Sequence, residues 1–190
     1  MPDYDMLDKL VVHLQQYALQ VVFVAIDDDR VAIAELTQHK ILVNTSSRAP
    51  LEIVFTIAHL FGHYIQFANY EKYRSLIQKV KEEPKPLQLP KGFKAGFYDY
   101  EMEAFQIGKK LLENIQKFDP ELERKYQLFF ETDFELFWQF LTVGTKQSAE
   151  SFNRELNQRY ETDKKDRAPL VPIDYPSTPV NLHHINLIVY

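Results

Sequence analysis

Residues 51–67 read Leu51-Glu52-Ile53-Val54-Phe55-Thr56-Ile57-Ala58-His59-Leu60-Phe61-Gly62-His63-Tyr64-Ile65-Gln66-Phe67, and this stretch decides the fold. Pro50, just before it, suits the first turn of a helix because its missing N–H would go unbonded there. Glu52 adds a first-turn negative charge that the helix dipole favours. The first half is apolar on nearly every face, which predicts a buried central helix running through Phe67 and on toward Val80. His59 and His63 stand four apart on it. That spacing stacks two imidazoles on one face, within reach of a single metal ion.

Working outward toward the N-terminus, three short runs precede this helix: Val21 to Ile26, Val31 to Leu36 and Ile41 to Asn44. They are β-branched or aromatic and are separated by brief polar turns, so they predict a three-stranded antiparallel meander. Before them, Leu7, Leu10, Val11, Leu14, Tyr17 and Ala18 recur at helical spacing, which predicts an amphipathic helix over Asp3–Leu19. Toward the C-terminus, Pro84, Pro86, Pro90, Gly92 and Gly96 break the chain into a long loop between Lys81 and Phe97. A helix is expected from Tyr98 to about Lys117. Another is expected from the Asp119-Pro120 start to Gly144, rich in Phe129, Phe130, Phe134, Phe137, Trp138 and Phe140, and a shorter one from Ser148 to Tyr160. Glu161 to Arg167 reads as a charged linker, and the proline-punctuated tail beyond it as extended chain, with Ile185 to Tyr190 as a candidate terminal strand.

Composition narrows the chemistry. The chain of 190 residues holds 45% hydrophobic residues, enough for a substantial core, and no cysteine. Disulfides, thiolate zinc sites, iron–sulfur clusters and cysteine nucleophiles are therefore excluded together, and any metal must sit on histidine and carboxylate. A net charge of -5 is poorly suited to neutralising phosphates, so no nucleic-acid partner is expected. The segment Thr142–Arg159 faintly resembles a helix-turn-helix, but the stretch Asp119–Arg167 around it carries 11 acids against 8 bases and speaks against DNA for the same reason. An acidic N-terminus and the absence of a long apolar run lead us to expect a cytoplasmic, unprocessed protein that makes no use of a membrane.

A third metal ligand is found by helix arithmetic. On the helix beginning near Tyr98, Ala104, Gly108, Leu111 and Ile115 share one face at ~100° per residue. Glu101 lies one turn before Ala104 on that face, whereas Glu103 points away from it. Glu101 is therefore the expected ligand and Glu103 a solvent charge. Small Ala104 and Gly108 would let this helix approach the histidine helix closely.

Helix, strands, the segment Phe55-Thr56-Ile57-Ala58-His59-Leu60-Phe61-Gly62-His63-Tyr64, and then Glu101-Met102-Glu103-Ala104 at the head of a later helix together resemble the ImmA/IrrE family of zincin-like metallopeptidases. The resemblance covers roughly residues 5–115. Members of that family carry His-Glu-x-x-His followed by a glutamate zinc ligand. The resemblance implies an α+β, zincin-like domain over residues 1–118; beyond it the sequence reads as a helical extension over 119–160 packed on that domain and an extended tail over 161–190. It also implies zinc held by His59, His63 and Glu101, and a bacterial setting, often linked to phage or mobile elements, in which some members cleave transcriptional repressors.

The departure from the pattern is Leu60, which stands where the family's general base, a glutamate, takes a proton from zinc-bound water. Leucine cannot accept a proton, and positioned acid–base catalysis contributes ~10²–10⁴-fold, so no catalytic residue is assigned. The reading is a degenerate metallopeptidase acting as a regulatory or peptide-binding protein. Its alternative is an active zinc peptidase with an unconventional base drawn from Glu52, Asp99, Glu103 or a tyrosine on the Pro-rich loop. A metal-free pocket with both histidines paired to Glu101 is a further alternative.

Other residues take plainer readings. His13 and His39 read as surface residues. His183 and His184, adjacent on extended chain, point in opposite directions and cannot readily chelate together. Asp27-Asp28-Asp29 lacks the later ligands of a calcium loop and reads as a solvated turn. The ring-rich run from Phe129 to Phe140 reads first as packing surface and second as a protein-partner or homo-oligomer interface.

Overall fold

The computed structural model describes residues 2–25, 32–35, 39–44, 50–67, 70–82, 86–145, 148–165 and 167–179. Helix α1, Pro2–Gln15, buries Met6, Leu7, Leu10 and Leu14 along one stripe. It stops at Ala18, whose φ of 57° lies in the left-handed region, and the Leu19 N–H closes back on the Leu14 carbonyl at 3.2 Å. The chain then enters strand β1, Gln20–Val24, and later β2, Ala32–Glu35, and β3, Lys40–Asn44.

These three strands do not form the antiparallel meander that their short turns suggest. Their order is β1-β3-β2, with β1 parallel to β3 from Gln20↔Lys40 to Val24↔Asn44, and β2 antiparallel to β3. The physical reason lies in β3, whose Ile41, Val43 and Asn44 are buried. Strand β3, more enclosed than β1, takes the centre and both neighbours, while β1, with exposed Gln20 and Phe23, takes a rim. The sheet is small and mixed. With six helices among the described residues, the architecture is mostly helical, and the expected α+β, zincin-like class built on a meander is corrected accordingly.

Helix α2, Pro50–Gln66, is buried from Glu52 through Gln66 and forms the centre of the molecule. It ends there, and α3, Tyr70–Glu82, is a separate amphipathic helix rather than a continuation toward Val80. Helix α4, Phe93–Ile115, begins one turn and more before the expected Tyr98, so Gly96 is helical and the Pro-rich loop is shorter than it reads. Helix α5, Pro120–Val143, starts as its sequence dictates: Asp119 Oδ1 accepts from the Leu122 N–H at 2.8 Å, with Pro120 following. It ends at Gly144, whose φ of 84° a side chain would resist. Helix α6, Ala149–Thr162, is capped by Ser148.

The rings of α5 are largely absorbed within the chain. Phe129 meets Phe55 and Phe152, Phe130 meets Phe105, and Phe134 stacks on Phe97 at 5.9 Å. Beyond α6, residues 163–165 and 167–175 form an extended strap across α4 and α5. Gln127 donates to the Ala168 carbonyl at 2.9 Å, the Leu170 N–H donates to Glu123 at 3.0 Å, and buried Lys109 donates to the Leu170 carbonyl at 2.6 Å. Arg167 grips Glu131 and Asp163 at 2.8 Å each. Tyr175 packs edge-on against Tyr17 and Phe61. No described helix is long and apolar enough to cross a membrane. Asp27–Asp29, His183, His184 and the strand expected over Ile185–Tyr190 lie outside the described residues.

Candidate metal centre

The site is built where α2 and α4 cross. A Cβ placed on Gly62 would lie 2.6 Å from the Ala104 carbonyl carbon, and one on Gly108 would lie 2.6 Å from both the Ala58 carbonyl oxygen and the Tyr126 hydroxyl. Each helix thus offers two small residues one turn apart, Ala58 and Gly62 against Gly108 and Ala104, and the backbones meet with nothing between them. This contact places Glu101, one turn before Ala104, beside the histidines that flank Gly62.

The geometry is tight. His59 Nε2 lies 3.0 Å and His63 Nε2 3.3 Å from the same oxygen, Glu101 Oε2. All three residues are buried, His63 completely, and their donor atoms lie within 4.8 Å of one another. A tetrahedral ion with bonds of ~2.0–2.1 Å separates its ligand atoms by about 3.3 Å, and the two spacings to Glu101 fit that value. Phe105 stacks on His59 at 4.1 Å between centroids, and Tyr100 lies beside His63 at 4.8 Å, so aromatic faces clamp both imidazoles.

Hydrogen bonding sets the tautomers. Gln66 donates from Nε2 to the Tyr100 carbonyl at 2.8 Å, which fixes its amide and turns Oε1 toward His63 Nδ1 at 2.9 Å. An amide oxygen only accepts, so Nδ1 of His63 carries a proton, and Nε2 is the atom turned toward the carboxylate. That nitrogen and the carboxylate oxygen, 3.3 Å apart, call for a proton or a cation between them. Glu101 Oε1, also buried, has no hydrogen-bond partner. Burial works to raise the Glu101 carboxyl, but the imidazoles beside it, His63 foremost, prevail and hold it down at about 2. His59 is held below the usual histidine range by burial and by His63, against the pull of Glu101. A neutral imidazole and an ionised carboxylate are the forms that bind a metal. The buried group His59, His63 and Glu101 could therefore hold a metal ion.

The other sequence candidates lie elsewhere. Glu103 is turned to Lys72 at 2.9 Å, and Asp99 is exposed. Glu52 is buried two turns earlier on α2, and the residues Lys81–Phe97 contain no tyrosine at all. Leu60 is buried and brings no proton acceptor to the site. One contact went unforeseen: Asp133 of α5 faces His59 Nδ1 at 3.7 Å. Its only sequence signal is an acid set between Phe130 and Phe134 on a ring-rich helix face.

No family model, no curated protein and no solved structure matches this chain.

Proposed function

We propose that the protein is a zinc-binding, degenerate metallopeptidase that holds a protein or peptide without cleaving it. One observation carries the reading: two histidine Nε2 atoms converge on one buried Glu101 oxygen, while the residue after His59 is leucine. Zinc is the natural occupant of a nearly dry set of two imidazoles and one carboxylate, because it accepts four-coordinate geometry without redox chemistry. The ion would be held by His59, His63 and Glu101, and would act as a Lewis acid toward a group bound at its fourth position. The kinship proposed with the ImmA/IrrE metallopeptidases is one of the site and its motif, not of the sheet.

Elemental analysis of gently purified protein tests the metal, with about one zinc per chain expected and thermal stabilisation on adding zinc. Absence of both overturns it. Incubation of the zinc-loaded protein with an unstructured protein substrate tests the rest, with no cleavage expected; robust zinc-dependent proteolysis by the unmodified chain would establish an active peptidase with another base. Leu60→Glu is the companion variant, and a gain of cleavage there would show that the base alone was missing.

A further inference from the structure

We infer that Gln66 and Asp133 are the positioning residues of this centre, each holding one histidine with its proton on Nδ1 and its Nε2 toward the ion. The inference rests on the metal reading above and adds to it the groups that prepare the ligands. His63 is the simpler half: the Gln66 amide is locked by the Tyr100 carbonyl and can only accept from Nδ1. Because Tyr100 directly precedes Glu101, the same side chain ties a ligand on α2 to the backbone that carries the ligand on α4. One amide therefore sets both the tautomer of one ligand and the approach of another.

His59 is the other half. Its Nε2 is turned to Glu101, so the nitrogen facing Asp133 Oδ2 is Nδ1, at 3.7 Å. A carboxylate only accepts: Glu101, at 3.0 Å, draws a proton to Nε2, and an ion on Nε2 would displace it and leave the proton to Nδ1, where Asp133 favours it. At this distance the contact is electrostatic, and a movement of about 1 Å would bring it to hydrogen-bond length. The Asp133 side chain is one-third exposed, at the edge of the site where His59 reaches toward solvent. A carboxylate behind a ligating imidazole raises its basicity and fixes its ring, and loss of such a partner typically costs 10–100-fold in metal affinity. The centre then draws on three helices. Asp133 brings in α5, which the sequence reading placed in an extension apart from the site.

Zinc affinity of the full chain, measured by competition against a chromophoric chelator, tests the inference. Asp133→Ala is expected to bind about 10–100-fold more weakly and Asp133→Asn less so, because its amide oxygen can still accept. Gln66→Met, similar in size, is expected to lose a comparable factor, and Glu103→Gln none. A merely structural role would not move the second readout, ¹⁵N spectra of histidine-labelled, zinc-loaded protein. Both ligands should carry a proton on Nδ1, and Asp133→Ala should speed exchange of the His59 proton while leaving that of His63 unchanged. Wild-type binding with equal affinity and unchanged spectra in the variants overturns this inference alone. A wild-type chain that takes up no zinc overturns the metal reading and this inference with it.

Discussion

Replacing Gly62 by alanine tests the helix crossing on which the site depends. The added Cβ would sit 2.6 Å and 2.7 Å from the Ala104 carbonyl carbon and Cα, and closer still to the carbonyl oxygen. Ordinary carbon contacts begin near 3.4 Å, so α2 and α4 must separate by about 1 Å, since backbone cannot swing aside as a side chain can. Overpacking costs ~1–3 kcal/mol, and backbone contact puts this case at the top of that range. Alanine recovers ~1 kcal/mol of helix propensity over glycine, leaving a net loss of about 2 kcal/mol. For a chain of this size that is a fall of roughly 4–8 °C in Tm, read by calorimetry or circular dichroism. The same separation carries Glu101 away from His63, so zinc affinity should fall in parallel. Gly96→Ala is the control, because its Cβ meets only the Leu76 Cδ1 at 4.0 Å, and it should gain about 0.5–1 kcal/mol. A Gly62→Ala protein as stable as the Gly96→Ala protein would refute the crossing.

Two further predictions concern the rest of the molecule. Lys109, only 4% exposed, donates to Glu123 at 2.7 Å and to the Leu170 carbonyl. Lys109→Met leaves that carboxylate partly buried without its cation and should cost about 3 kcal/mol in urea unfolding, with faster proteolysis between residues 163 and 175; a loss well under ~1 kcal/mol would contradict the role given to it. Stability should also fall on the alkaline side. Burial pushes Tyr126 well above the ordinary phenol range and Tyr175 up to about 12. Between about pH 10 and 12 the unfolded chain releases phenolic protons that the native one retains, so stability is fully present below ~10 and lost as pH rises through the native values. Urea midpoints followed upward from about pH 9 check the sign, and an unchanged midpoint would refute it.

The metal ligands were legible because they lie on helices, where 100° per residue turns sequence into direction. That arithmetic chose Glu101 over Glu103, and the small Ala104 and Gly108 announced the close approach. Helix α5 was legible at both ends, from Asp119-Pro120 and Gly144. The sheet order was not, because strands of four or five residues carry no mark of their neighbours, and consecutive strands suggest pairing that β1 and β3 override. The break between α2 and α3 was hidden because the residues between them, Phe67, Ala68 and Asn69, include neither glycine nor proline. Asp133 was hidden for a different reason: its partner His59 is on another helix, far away in sequence, and only packing of α5 brings them together.

The strap has a consequence for how the chain matures. Helices α4 and α5 leave the ribosome before residues 163–175, so the surfaces that later receive Leu170, Ile173 and Tyr175 meet water first. The last described segment to be synthesised is thus a closing clasp, and the nascent chain cannot reach its final compactness until it emerges. Its grip on Asn114, Lys109 and Gln106 reaches the C-terminal half of the helix that carries Glu101. The metal centre and the clasp therefore hold opposite halves of α4, and the helix is drawn into place by both.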